Sequence, residues 1–370
     1  MSIHFADTFI ILLYFGILIG IGFFRSKGSR KNQAEYILAG RRLSLPGFVA
    51  TLVATWYGGI LGIGENTYNY GIQTWVIFGL PYYIFAAVFA LIIAGKIRQL
   101  EFISIPDQIT KRFGKYPGIF SAVFLLFLAS PAPYILSIGI LLQFLFGLSY
   151  GWALLMATII SLVYIWHGGF GAVVRTDILQ FILMFSGFIM LLIFAWIKIG
   201  SPVYLLQNLP ETHLSPTGGQ SRQFIAVWFF IALWTFVDPG FYQRCAAALN
   251  SRIAQKGILI SIAFWFGFDM LTLFCGLYAR LVVDSSNALF SFPLLGQQLL
   301  PPLFYGLFLT GIISTIMSTI DSLGLISAVT FGRDILWRLN NRYDPIRLTQ
   351  IGLPVMAAIA LFLAWQFPSV

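Results

Sequence analysis

Charge is what this sequence has least of. Only 9% of its 370 residues are charged, and 13 of them are acidic. A soluble domain carries about 25% charged residues. A soluble globular fold, which needs polar surface over its core, is therefore excluded. Cysteine is nearly absent. Cys245 and Cys275 lie in or beside apolar segments, which excludes a disulfide framework, a zinc ligand spacing and a redox pair. The three histidines, His4, His167 and His213, are scattered, so no metalloenzyme cluster is visible. Paired His, Cys or carboxylate groups at catalytic spacing are missing as well, so the chain is not read as an enzyme.

What is present is apolar. Residues of that kind make up 59% of the chain. Runs of 18 or more recur from end to end, and each can cross a hydrocarbon core of about 30 Å. The sequence predicts an all-α polytopic membrane protein with about ten transmembrane helices. They are α1 (Ala6–Phe24), α2 (Leu45–Tyr70), α3 (Thr74–Ala94), α4 (Pro117–Phe146) and α5 (Gly151–Trp166). The second five are α6 (Ala172–Ile197), α7 (Gln223–Ala247), α8 (Gly257–Val283), α9 (Pro302–Leu336) and α10 (Leu348–Trp365).

The net charge of +9 would suggest nucleic acid in a soluble protein. Here the basic residues fall between apolar runs, where positive loops facing the cytoplasm explain them. No basic residue precedes α1, whereas Arg25, Lys27, Arg30 and Lys31 follow it. A cleaved signal peptide has the opposite order, so α1 is read as a retained helix with its N-terminus outside. With ten helices, 19 of the 22 basic residues lie on the inner side, and only Lys198, Arg222 and Arg280 lie outside. The expected location is the cytoplasmic membrane, multi-pass, with the lipid bilayer as solvent.

The longest polar stretch, Gly200 to Arg222, reads as an external loop between two halves. Each half opens with a helix broken near its middle: α2 at Tyr57-Gly58-Gly59, and α7 at Asp238-Pro239-Gly240. Matching breaks in two halves point to a transporter with an inverted repeat. Gly and Pro also serve as packing and kink sites in membrane helices, and either break alone fits that reading. The expected organisation is a single transmembrane domain. It has a lead helix (1–24), a first repeat (45–198) and a second repeat (223–370) that lacks its last helix.

In α9, Ser314, Ser318 and Ser322 share one face, with Thr315 and Thr319 beside it. A sodium ion is a hard cation and takes oxygen ligands, so hydroxyls and freed carbonyls suit it. The stripe also fits packing by small hydroxyl residues that bond back to their own backbone. Two carboxylates, Glu65 and Asp321, lie inside the membrane, where each costs about 2.5–3.5 kcal/mol. Each therefore faces a partner or a wet cavity. Asp238 is read two ways. It caps the second half of α7, or it serves with Trp56 and Trp234 as counter-ion to a cationic solute.

Several of these residues also carry a family resemblance. Gly168-Gly169-Phe170-Gly171-Ala172-Val173-Val174-Arg175-Thr176-Asp177, continuing to Gln180, resembles a signature of the sodium/solute symporter family. Gln243-Arg244 resembles a second signature. Met317-Ser318-Thr319, Asp321-Ser322 and Arg333-Asp334-Ile335 resemble a third, and Ala39-Gly40-Arg41-Arg42 a weaker fourth. The resemblance covers nearly the whole chain. It implies the five-plus-five inverted repeat of the leucine-transporter fold and sodium as the coupling ion. It implies a sodium site made of the Ala54, Tyr57 and Thr315 carbonyls and the Ser318 and Thr319 hydroxyls, with Asp177 near the inner exit path. The run Ala54-Thr55-Trp56-Tyr57-Gly58-Gly59 is similar to the choline transporter branch, in which Trp56 would face substrate. Asp238 stands where that branch places a second Trp, so choline itself is not implied. Trp234 falls where sugar-carrying members place an aromatic gate.

The function expected from these readings is sodium-coupled symport of a small polar solute by alternating access. The rival is a non-transporting membrane sensor on the same scaffold, which a C-terminal signalling module would reveal. Aromatic stripes in membrane helices also serve packing, so Trp56 and Trp234 stay open between packing and binding.

Overall fold

A computed structural model describes residues 3–24 and 32–367. The basic cluster Arg25, Lys27, Arg30 and Lys31 lies outside the described residues. Among those described, helices dominate and no strand forms. Leu43 and Ala248 make an isolated bridge, closed by Leu43 N–H donating to the Ala247 carbonyl (3.0 Å) and Leu249 N–H to that of Leu43 (3.1 Å).

Among the described residues, seven helices are long and apolar enough to cross a membrane. They are α3 (Gln73–Leu100), α4 (Lys115–Phe146), α6 (Gly168–Lys198), α7 (Arg222–Ala247), α8 (Ser251–Val282), α9 (Phe304–Trp337) and α10 (Pro345–Gln366). The two pieces of α2, Leu45–Trp56 and Ile60–Tyr70, pass the same test together as one span bent by 59°. Two shorter apolar helices, Phe5–Ile21 and Tyr150–Val163, fall on the segments read as α1 and α5. Several outer positions, among them Phe5, Leu12, Ile182, Ile189 and Phe362, stay exposed and apolar. That is the pattern of a bundle whose solvent is hydrocarbon.

The regular helices are interrupted where the sequence supplies a reason. In α2 the chain leaves the helix at Tyr57 and re-enters at Ile60, with Gly58 and Gly59 between. A Cβ on Gly58 would lie 2.6 Å from Thr319 Cβ and 2.5 Å from Tyr134 Cδ1. Only glycine lets α9 approach the break this closely. In α7 a 3₁₀ turn (Ala232–Phe236) precedes Asp238, and helix resumes at Pro239, where proline's fixed φ suits a first turn. The polar segment 200–222 carries two short helices, Pro202–Asn208 and Glu211–Leu214. His213 anchors it, its carbonyl accepting from Ile72 N–H (2.9 Å) and its ring Nε2 lying 3.0 Å from the Tyr68 carbonyl.

The expected α5 and α6 meet end to end within Tyr150–Lys198, separated by a kink where Gly169 leaves the helical conformation (φ 53°, ψ −152°). The short helix Gln33–Leu38 packs against this kink, with the Tyr36 hydroxyl donating to the Trp166 carbonyl (3.2 Å). A side chain at Gly169 would run into the Tyr36 carbonyl. Glycine is thus needed there for both the left-handed φ and the close approach.

α9 is the axis of the bundle, with 89% of its most apolar window buried. A helix enclosed on all sides in a membrane gains nothing from hydrophobic burial against its neighbours. Packing of small residues and interhelical hydrogen bonds must hold it. Its Ser and Thr residues supply both, and they position the site.

Candidate functional site

The buried hydroxyls of α9 meet α2 at its break. Thr319 Oγ1 donates to the Thr55 carbonyl at 2.7 Å, with the Thr315 carbonyl also in reach at 3.2 Å. This places the α9 hydroxyls against the turn of α2 that carries Ala54 and Tyr57, both buried. Thr315, Ser318 and Thr319 are buried as well. The five residues of the expected sodium site therefore occupy adjoining faces of two helices.

Asp177 joins them from α6. Ser318 Oγ donates to its Oδ1 at 2.6 Å, and Thr51 Oγ1 donates to its Oδ2 in a short hydrogen bond. Arg244 of α7 completes the cluster. Its Nη2 lies 3.0 Å from Thr51 Oγ1, 3.2 Å from the Thr51 carbonyl, 2.7 Å from Thr55 Oγ1 and 2.8 Å from Ser322 Oγ. One nitrogen with two hydrogens thus faces four oxygens. The guanidinium stands 3.9 Å from the Asp177 carboxylate, both side chains having no exposed surface. Its central carbon Cζ also lies 5.6 Å from the Phe170 ring centre. A charge chain runs from Arg244 through Thr51 to Asp177 and Ser318, crossing four helices. Without Arg244 the buried carboxylate would keep only neutral donors, a costly arrangement in hydrocarbon.

Above this cluster opens a cavity of about 620 Å³, within the range of small-molecule sites. Tyr57, Thr319 and Arg244 line it, so it touches the hydroxyl cluster directly. Trp56, Trp234, Asp238 and Glu65 line it too. Trp56 packs against Trp265 (5.0 Å between ring centres) and Tyr82 (5.1 Å), which fixes its ring at the wall. Asp238 uses both carboxylate oxygens: Oδ1 accepts from Phe241 N–H (3.1 Å) as an N-cap, and Oδ2 accepts from Trp234 Nε1–H (3.0 Å).

Asp321 goes elsewhere. It is fully buried and is not among the cavity-lining residues. It lies near the Tyr14 hydroxyl of α1, which accepts from Gln180 Nε2 at 3.0 Å. The structure thus separates Asp321 from the group that holds Ser318 and Ser322, although all three are close in sequence.

Sequence reasoning missed Thr51, Thr55 and Asp269. Thr51 and Thr55 are one turn apart and mirror Ser318 and Ser322 on α9, a pairing visible only once the two helices are adjacent. Asp269, in α8, also lines the cavity. A lone acid inside a long apolar run was the available signal.

A second polar cluster lies at the end of α9. Arg333 pairs with Asp107 of the short helix Ile105–Phe113 (2.9 Å) and with Asp334 (2.6 Å). Arg338 pairs with Asp107 as well and lies 3.2 Å from Asp334. Although burial works to raise the Asp107 carboxyl, the two guanidiniums hold it below its ordinary value.

The comparisons with known proteins agree with this architecture. A sodium/proline symporter of Staphylococcus saprophyticus is 25% identical, over 96% of this chain and 75% of its own length. A sodium/proline symporter of Staphylococcus aureus is 25% identical, over 97% of this chain and 75% of its own. The solved structure of a sodium-coupled sialic acid symporter matches with a TM-score of 0.88 at 16% identity, covering 99% of this chain and 83% of that one. That likeness shows the fold, a leucine-transporter-like arrangement. The sequence profile of the sodium:solute symporter family matches residues 36–370, and the chain belongs to that family.

Proposed function

We propose that the protein carries a small polar solute across the cytoplasmic membrane together with sodium, the ion being held where α9 meets the break of α2. In this reading the Ala54, Tyr57 and Thr315 carbonyls and the Ser318 and Thr319 hydroxyls are the sodium ligands. Asp177 stands on the inner exit path. The solute occupies the cavity walled by Trp56, Trp234 and Asp238, and the N-terminus lies outside.

One observation carries the reading. Thr319 both bonds to the α2 break and lines the cavity. An ion at that junction would draw α2 and α9 together and complete the cavity wall. Ion binding and solute binding would thereby favour the same conformation, which is the requirement for thermodynamic coupling. Sodium suits oxygen donors of this kind. Glu65 lines the same cavity and adds negative potential there.

The test is uptake by the protein reconstituted in liposomes. A panel of labelled solutes, L-proline among them because two relatives bear that name, is offered with sodium outside or with potassium in its place. Uptake of at least one solute that requires sodium is expected. Equal uptake of every transported solute in the two salts would refute the coupling.

A further inference from the structure

Asp269 is a cavity carboxylate held by groups from outside its own helix. It does not cap a terminus, being in the interior of α8. Two tyrosines from two other helices converge on it. The Tyr57 hydroxyl donates to Oδ1 at 2.8 Å, and the Tyr83 hydroxyl donates to Oδ2 in a short hydrogen bond. A Cβ on Gly79 would lie 2.9 Å from both Oδ2 and the Tyr83 hydroxyl, so glycine leaves room for the arrangement. A carboxylate has about four acceptor positions. The tyrosines use two, and Asp269 is half-buried and lines the cavity.

The charged groups of that cavity are mostly acidic. Among the described lining residues, Glu65, Asp238 and Asp269 are acidic and Arg244 is basic. Arg244 is turned into the Thr51–Asp177 cluster and is committed there. Asp238 already has a structural role, capping the second half of α7 and accepting from Trp234. The remaining wall is aromatic, with Trp56, Tyr82, Tyr134 and Trp234, and aromatic faces attract cations.

We propose that Asp269 receives the positively charged group of the transported solute, which is therefore an amine, a quaternary ammonium compound or a zwitterion, and not an anion. The inference rests on the symporter reading above. Tyr57 gives the receptor a further role. Its hydroxyl holds Asp269 while its backbone forms the break of α2, so one residue links solute charge to the proposed ion ligands.

The experiment uses the full chain in lipid nanodiscs. Thermal stabilisation is measured for four probes, each in sodium and in potassium: L-proline, choline, the uncharged choline isostere 3,3-dimethyl-1-butanol, and sialic acid. Stabilisation by proline or choline is expected, with the uncharged isostere and sialic acid at least about tenfold weaker. Asp269→Asn keeps the shape and can still bond both tyrosines. It is expected to weaken the ammonium probe about tenfold or more while leaving the sodium half-saturation unchanged. Tyr83→Phe frees one carboxylate oxygen and is expected to shift affinity less. Equal binding of the uncharged isostere overturns the proposal. So does preference for sialic acid, an unchanged Asp269→Asn, or no response to either ammonium probe where sodium itself stabilises. Ammonium binding that depends on Asp269 but is the same in sodium and potassium would instead refute the symporter reading and leave the receptor standing.

Discussion

Replacing Arg244 by Met removes a cation from a cluster that has no other. The guanidinium sits 3.9 Å from Asp177, and neither side chain is exposed. At that distance and an effective dielectric of about 20, the attraction is about 4 kcal/mol. Breaking a buried pair by removing one partner costs about 3–5 kcal/mol, because the other charge is left uncompensated. Thr51 and Ser318 would still donate to Asp177, which places the expected loss at the lower end of that range. The informative comparison is a cycle of Arg244→Met, Asp177→Asn and the double variant. Each single change is expected to destabilise, and the double variant to recover most of the loss. The coupling energy is expected to exceed about 1.5 kcal/mol, as for close charge pairs elsewhere. Denaturant unfolding in micelles, followed by tryptophan fluorescence, ranks the four proteins. Strict additivity would refute the argument and reduce Arg244 to a donor for hydroxyls.

Other outcomes follow from the same geometry. Ser318→Ala and Thr319→Ala are each expected to raise the sodium concentration for half-maximal uptake, and unchanged values in both would remove α9 from the ion site. Asp238→Asn keeps an acceptor for Phe241 N–H, so the helix cap should survive in melting curves, while a weakened cationic solute would mark its charge as used in binding. Asp107→Asn is expected to lose on the order of 2 kcal/mol, at the low end for a buried pair because Asp334 stays with both arginines. Because the folded Asp107 lies below its ordinary value, its contribution is full above about pH 4 and is lost as the pH falls through the folded value. A melting profile already falling with Asp107 at neutral pH would contradict this sign. Orientation is tested by cysteine labelling, since both native cysteines are buried: Pro216→Cys should react with an impermeant reagent from outside, Asn341→Cys should not, and the reverse pattern would invert the topology.

The helices were legible because a membrane span announces itself by length and hydropathy alone. The breaks in α2 and α7 were legible because Gly58, Gly59 and Pro239 are costly in a regular helix without a reason. The kink at Gly169 was harder to see. The sequence suggested two helices, and the non-helical backbone at Gly169 separates them with no intervening loop. Local irregularities such as the π-helical turns at Ala90–Ala94 and Thr330–Trp337 leave no signal in composition. The site was half visible. Ser318 and Thr319 declare themselves by spacing along one helix. The roles of Thr51, Thr55 and Arg244 depend on residues up to 267 positions apart, and a single sequence does not record that proximity. Asp321 was read as facing a partner or a wet cavity, and which of the two was not legible. Its neighbours in sequence face the cavity side, but one residue of helical rotation turns it towards α1.

The crowding of four oxygens around one nitrogen of Arg244 has a mechanical consequence. Two hydrogens cannot serve four acceptors at once, so the contacts form a set of near-equivalent alternatives. With four oxygens within 3.2 Å of Nη2, a small slide of α2 past α9 can trade one acceptor for the next while that nitrogen keeps a partner. Buried polar groups usually lock helices in register, because each displacement strands a donor in hydrocarbon. Here the surplus of acceptors around one nitrogen softens that lock, so a displacement of α2 against α9 need not strand it.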